Sequence, residues 1–311
     1  MPVARGGLRA FLHQRRDSGE LRLSPEQEEA VAFWRENVWN FCTGVWPLPR
    51  HAGAKGSHEP KPIIWTQDKL RHEVRPFPAS FEYLRDCVLE PIFHAPRTAE
   101  DGSPFKLRAV IPKPRQIFCT NGILVGCLWD VLFHEATEWL IAKNKAPEAE
   151  RFVKERVRFT YSRLPEWFAG ISGPRSRLGW RTVPHKPAGR FEVRETGSKI
   201  TPVSRTFGES GEAIGETADV LLDECIRLRG LRAVWAAADA QAPRMVAVSA
   251  PPERGARVDP DSVAFMRELM EGLPEGTLAK TVVGLEPADD DGDDPDDTED
   301  VSAFAGEAAI A

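Results

Sequence analysis

Residues 218–224 read Ala218-Asp219-Val220-Leu221-Leu222-Asp223-Glu224, an apolar run that ends in two adjacent carboxylates. A short, continuously apolar run suits a strand buried on both faces of a parallel sheet. An Asp followed by a Glu at the end of such a strand is what a Walker B element requires. The Asp holds Mg2+ through water, and the Glu orients and deprotonates the attacking water. On these residues alone, Asp223-Glu224 also reads as a helix-capping or solvent-facing acidic pair, and the flanking sequence has to decide.

Working upstream, Leu107–Ile111 is another apolar strand, and Ile111-Pro-Lys-Pro-Arg-Gln-Ile-Phe-Cys-Thr120 joins it to a helix expected over Gly122–Phe133. A phosphate site needs backbone N–H groups at a helix N-terminus, a cation for the β and γ phosphates and a hydroxyl for Mg2+. Lys113 and Arg115 can supply the cations and Thr120 the hydroxyl. The glycine-rich GxxxxGK(S/T) pattern is absent, so the segment taken alone also reads as a basic strand-to-helix turn. Working downstream, Met245–Ser249 is a further strand whose terminal hydroxyl can sense a γ-phosphate, before Ala250-Pro251-Pro252 breaks it. Ligands of open parallel sheets bind beyond the carboxyl ends of the strands, and all three features fall at such ends.

The remaining pattern supplies strands and helices around these three. Ser24-Pro25-Glu26-Gln27 is a helix start with a capping box, after which Val31, Trp34, Val38 and Phe41 repeat at helical spacing as a buried stripe. Gly44 to Pro62 reads as loop, and one helix is expected near Phe81–Leu89. Trp139–Ala142 reads as a strand. A long helix from Pro147 to Leu164 follows, with Phe152 or Val153, Val157, Tyr161 and Leu164 on one face. Phe191–Glu195 and Lys199–Val203 form a hairpin around Gly197, Leu231–Asp239 and Asp261–Glu271 are helices, and Leu278–Val283 is a final strand. Alternating strands and helices predict an α/β fold with a mostly parallel central sheet flanked by helices. A helical, loop-rich region over residues 1–100 precedes it, residues 101–285 form the main domain, and residues 286–311 form an acidic disordered tail.

Composition excludes several classes. The 311-residue chain of 34.6 kDa has 41% hydrophobic residues, ordinary for a globular protein, and no apolar run long enough to span a membrane. The N-terminus, through Arg15-Arg16-Asp17, is basic but lacks the apolar stretch of a secretory signal, so it reads as a frayed end or an arm for nucleic acid. Five cysteines without CxxC spacing suit a reduced cytosolic protein without a zinc framework. The net charge of −6 hides a split, because Glu286–Ala311 holds eleven acidic residues and no Lys or Arg. The rest of the chain carries 41 basic against 36 acidic residues, a mildly basic body that permits contact with a polyanion. The acidic tail lacks the register of a calcium loop and reads as a solvated segment.

From the first helix to about Leu285 the chain resembles phage terminase large subunits. Similar segments are Val38-Trp-Asn-Phe-Cys-Thr-Gly44, Pro62-Ile-Ile-Trp-Thr-Gln-Asp68, Arg75-Pro-Phe-Pro78 and Tyr83-Leu-Arg85. The deviant phosphate loop of that family, of the type KSRQxxxT, is similar to Lys113-Pro-Arg-Gln-Ile-Phe-Cys-Thr120. Ala142-Lys-Asn-Lys-Ala-Pro-Glu-Ala149, Tyr161-Ser-Arg-Leu-Pro-Glu-Trp167, Thr217 through Glu224 and Ser249-Ala-Pro251 follow in the same order. The resemblance implies a P-loop NTPase fold and an Mg-dependent ATPase that translocates double-stranded DNA into a procapsid, with ATP and Mg2+ as cofactors. It implies that Lys113, Arg115 and Gln116 hold phosphates, that Thr120 and Asp223 share the metal shell, that Glu224 is the catalytic carboxylate, and that Ser249 couples hydrolysis to movement. The implied partners are DNA, a portal protein, the small terminase subunit and further copies in a ring, all in the host cytoplasm at the procapsid portal.

Pro114 stands where the family carries a small hydroxyl residue, and Ile214 where many members carry a basic one. These departures keep a rival reading in play, a degenerate relative that retains the fold and binds partners without ATP turnover. A helicase reading would need a second motor domain. His134-Glu135-Ala-Thr-Glu138 resembles HExxH but lacks its second histidine and reads as a helix end, and Trp34, Trp39, Trp46 and Trp65 read as core rather than as stacking partners for adenine. Terminases continue into an RNase H-like nuclease domain, for which this sequence has no counterpart. The chain alone is therefore expected not to cleave plasmid DNA with Mn2+ or Mg2+, and cleavage that survived Asp223→Ala would expose a separate nuclease site.

Overall fold

The computed structural model describes residues 23–51, 59–68, 73–96, 98, 105–113, 118–165, 167–168, 189–193, 196–204, 218–250 and 258–272. The expected strand at Leu278–Val283, the acidic tail, the basic N-terminus and Ile214 lie outside them. From the N-terminus, α1 (Pro25–Glu36) and α2 (Val38–Cys42) precede two short antiparallel ribbons. The ribbons are β1 (Val45–Trp46) with β2 (Lys61–Pro62), and β3 (Trp65–Asp68) with β4 (Glu73–Pro76). A helical run passes through α3 (Glu82–Leu84), a π segment (Arg85–Leu89) and α4 (Glu90–Phe93). Then come β5 (Leu107–Pro112), α5 (Cys119–Phe133), β6 (Glu138–Lys143) and α6 (Ala146–Val153), the last continuing through a π segment (Lys154–Arg158) into α7 (Phe159–Tyr161). The hairpin β7 (Phe191–Val193) and β8 (Ser198–Ser204) leads to β9 (Asp219–Asp223), α8 (Leu231–Gln241), β10 (Arg244–Ser249) and α9 (Pro260–Gly272).

The central sheet has six strands in the order β5-β10-β9-β6-β8-β7 and is mostly parallel, as expected of an α/β chain. The polypeptide forms two compact units that interleave in sequence. One comprises residues 1–94, 121–139 and 150–202, and the other 95–120, 140–149 and 203–311.

In the first unit the capping box at the start of α1 is complete. Ser24 Oγ accepts the Gln27 N–H at 3.3 Å, and Gln27 Oε1 accepts the Ser24 N–H at 2.8 Å. Val31, Trp34, Val38 and Phe41 are all buried, but not on one helix. Asn37, with φ −146° and ψ 137°, ends α1, and its Oδ1 accepts the Trp39 N–H at 2.6 Å to start α2. Burial holds the His94 imidazole below its ordinary pKa, and its neutral Nε2 accepts the Val38 N–H at 3.2 Å. Trp34 is fully buried and stacks on Trp167 at 5.8 Å, while Trp129 donates to the Trp34 carbonyl at 2.8 Å. Trp39 packs edge-on against Phe77, Trp46 lies 4.7 Å from Trp167, and Trp65 donates to the Pro62 carbonyl, so the four tryptophans belong to local packing. His134 lies just beyond α5, 2.8 Å from the buried Asp130 carboxylate, whose other oxygen accepts the Trp139 indole N–H at 2.9 Å.

Helix α5 comes close to Phe93 at Gly126. A Cβ on that glycine would sit 2.2 Å from Phe93 Cε2. The ring cannot turn away freely, because Trp139 and Trp129 stand 5.5 and 6.4 Å from it. In the second unit, β5, β10 and β9 are parallel and every residue in them is buried, which explains the apolar runs Ala109–Ile111, Met245–Val248 and Val220–Leu222 at their centres. Helices α8 and α9 meet through Trp235 and Phe265, with ring centroids 6.2 Å apart, and join one core with Val220, Leu222, Met245 and Ala247. The amino-terminal ends of these strands carry charge. Arg244 NH2 lies 2.5 Å from Asp219 Oδ2, and the Arg244 N–H donates to Asp219 Oδ1 at 3.0 Å, with both residues buried. Arg108 pairs with Asp239 at the start of β5.

Two stability outcomes follow from this packing. Gly126→Ala gains helix propensity but overpacks the Phe93 contact, and the net result is a loss of about 1–3 kcal/mol in denaturant unfolding, recovered in part by Phe93→Leu. Asp219→Ala removes a buried counter-ion from the Arg244 guanidinium and costs about 3–5 kcal/mol, whereas Asp219→Leu combined with Arg244→Met costs markedly less.

Candidate functional site

The register of the second unit brings three polar strand ends to one edge. Ser249 pairs with Pro112 across β10 and β5, and Val248 with Asp223 across β10 and β9. The Lys113 N–H donates to the Ser249 carbonyl at 2.9 Å, so the chain leaves β5 level with the end of β10. It re-enters described structure at Phe118, a non-glycine residue at φ 67°, and α5 starts at Cys119. Thr120 therefore lies in the first turn of a long helix, where unsatisfied N–H groups and the helix dipole favour an anion.

Thr120 Oγ1 donates to Asp223 Oδ1 at 3.1 Å, across 103 residues of sequence. Asp223 is 4% exposed, and its second oxygen, Oδ2, lies 2.6 Å from Lys143 Nζ at the end of β6. Each oxygen of a buried carboxylate thus has a donor. The Asp223 charge also reaches the Cys119 thiol, which burial pushes up to about 12 while the Lys113 ammonium opposes the rise. Burial raises the Cys225 thiol to about 12 as well, while the neighbouring Ser249 hydroxyl opposes the rise. Ser249 is 1% exposed and its hydroxyl also reaches the Ala250 carbonyl at 3.3 Å.

Glu224 differs from its neighbour. It adopts a left-handed conformation, φ 54° and ψ 44°, which a non-glycine residue takes at a cost of about 1–3 kcal/mol. The turn carries its side chain out of the sheet to a half-exposed position, with Oε2 3.5 Å from Arg227 NH1. Asp223 and Glu224 line a cleft of about 180 Å3 with Lys143, Lys145, Glu148 and Arg227.

Of the expected site residues, Thr120 and Asp223 meet directly, Lys113 and Ser249 meet through the backbone, and Glu224 lies beside Asp223. Arg115 and Gln116 lie outside the described residues. An oxygen pair made of a hydroxyl and a carboxylate is a donor set that Mg2+ accepts, and two oxygens 3.1 Å apart are close enough to reach one small ion or its water shell. Lys143 was not among the expected residues. Its signal was an apolar strand ending in Lys143-Asn144-Lys145, but only the sheet order shows that β6 ends beside β9.

No protein-family model matches the chain, and no curated protein matches it. Among solved structures it is similar to the Thermus phage P74-26 large terminase ATPase domain, at 16% identity and a TM-score of 0.34, over 61% of this chain and 77% of that one. A point mutant of the same domain aligns at 16% identity and a TM-score of 0.29, over 53% of this chain and 68% of that one. At these values the likeness is a weak resemblance at the level of the fold.

Proposed function

We propose that this chain is the ATPase part of a viral terminase large subunit, which hydrolyses ATP with Mg2+ to move double-stranded DNA into a procapsid. The observation that carries the reading is the Thr120–Asp223 hydrogen bond, which joins the start of α5 to the end of β9 beside a lysine-bearing loop. The collinear sequence resemblance over most of the chain supports it. Portal protein, small terminase subunit and a ring of further copies are the partners this function needs.

In this reading Lys113 and the first N–H groups of α5 bind the β and γ phosphates, with Arg115 and Gln116 contributing from the same loop. Thr120 and Asp223 hold the metal shell, and Mg2+ when bound neutralises charge on the phosphate oxygens. Glu224 accepts a proton from the attacking water. Its left-handed turn and exposed carboxylate let it swing from Arg227 toward the phosphates. Ser249, locked at the end of β10 and bonded through its carbonyl to Lys113, ties the phosphate loop to the adjacent strand.

Nucleotide binding and turnover should be measured with portal and DNA present. Glu224→Gln retains ATP binding and loses about 10²–10⁴-fold in turnover, because an amide cannot take the proton. Lys113→Ala weakens binding itself, since it removes a cation from ground and transition state alike. A wild-type chain that binds no nucleotide under these conditions would establish the degenerate, partner-binding reading. Wild-type turnover that Glu224→Gln leaves unchanged would move the catalytic carboxylate elsewhere.

A further inference from the structure

We propose that Lys143 is a displaceable counter-ion of Asp223, competing with a divalent cation for the carboxylate and swinging into the adjacent cleft when the metal binds. The inference rests on the reading of Asp223 as a metal residue and adds a regulatory part that this reading does not contain.

The contrast between two buried aspartates carries it. Asp219 is gripped by Arg244 through a guanidinium nitrogen and a backbone N–H of the same residue, a planar and fixed arrangement. Asp223 is gripped by one ammonium at 2.6 Å and one hydroxyl at 3.1 Å. The ammonium sits on a flexible four-carbon stem and can rotate away without moving backbone. Lys143 is 12% exposed and borders the cleft of about 180 Å3, so it has somewhere to go. That cleft also holds Glu148 and Glu224, either of which offers the displaced ammonium a new carboxylate. A dication beside Asp223 Oδ1 and Thr120 would repel an ammonium at Oδ2, so both cannot occupy the carboxylate at full strength. Until a metal arrives, Lys143 keeps a 4%-exposed carboxylate compensated. The coupling is reciprocal: Lys143 weakens metal binding, and metal binding frees Lys143.

Mn2+ affinity of the full chain, read by water-proton relaxation without nucleotide, tests the exchange. Lys143→Met and Lys143→Gln are expected to bind Mn2+ at least about tenfold more tightly than wild type, since the fraction of sites blocked by the ammonium falls to zero. Lys143→Arg should stay near wild type, and adding Asp223→Asn to Lys143→Met should erase the gain. The melting temperature of Lys143→Met should fall in EDTA and recover with Mn2+ by more than the wild-type shift. If the Met variant does not fold, the Gln variant, which still donates a hydrogen bond to Asp223, makes the comparison. Equal Mn2+ affinity in wild type and the neutral variants overturns the proposal. If wild type still binds ATP in that case, the nucleotide-site reading stands and only the exchange fails. Absence of both ATP and Mn2+ binding from wild type and neutral variants overturns the two together.

Discussion

A carboxylate at the buried end of a parallel strand must be compensated, and Asp223 meets that demand with groups from two other segments. Thr120 comes from the start of α5 and Lys143 from the end of β6. Without those donors the charge would be expelled to solvent or neutralised by a proton. The strand end, the entry of the helix and the neighbouring strand end are thereby brought to one point. Glu224, one residue further on, escapes the same demand only because its left-handed turn lifts the carboxylate out to water.

The two edges of the same three strands solve their polarity differently. At the amino-terminal edge, arginines meet aspartates and backbone groups; the Arg244–Asp219 pair is closed off from solvent, while Arg108 pairs with the half-exposed Asp239. At the carboxyl edge, a lysine, a threonine and a serine meet a carboxylate and a carbonyl beside an open cleft. Rigid planar donors suit a scaffold, and single-point rotatable donors suit a place where partners exchange. The difference in residue type between the edges thus matches the roles proposed for them.

Much of this was legible in the residues. Val220-Leu221-Leu222 and Met245 through Val248 are unbroken apolar runs because both faces of each strand are covered, and that constraint shows in any single sequence. The capping box at Ser24 depends on neighbours three residues apart and was equally readable. The spacing of Val31, Trp34, Val38 and Phe41 did not reveal the break at Asn37, since two consecutive helices can keep one buried face. The pairing of β1 with β2 within a presumed loop was also hidden, because strands of two residues leave no periodic signal. Lys143 escaped for a different reason. Its partner is specified by strand order, and nothing local tells β6 to end beside β9 rather than beside β5.

Strand order also has a consequence for how the chain is made. β5 stands at one end of the six-strand order, and its hydrogen-bonded neighbour is β10, with Arg108 reaching across 135 residues to the Pro243 carbonyl. On the ribosome β5 emerges long before β10 exists. During that interval a mostly apolar strand, with Arg108 as its one charged residue, has an open ladder on each side, the kind of edge that recruits other chains. Synthesis at about 5–20 residues per second leaves it unpaired for about 7–26 s. Shielding the nascent chain until β10 arrives would therefore favour its yield.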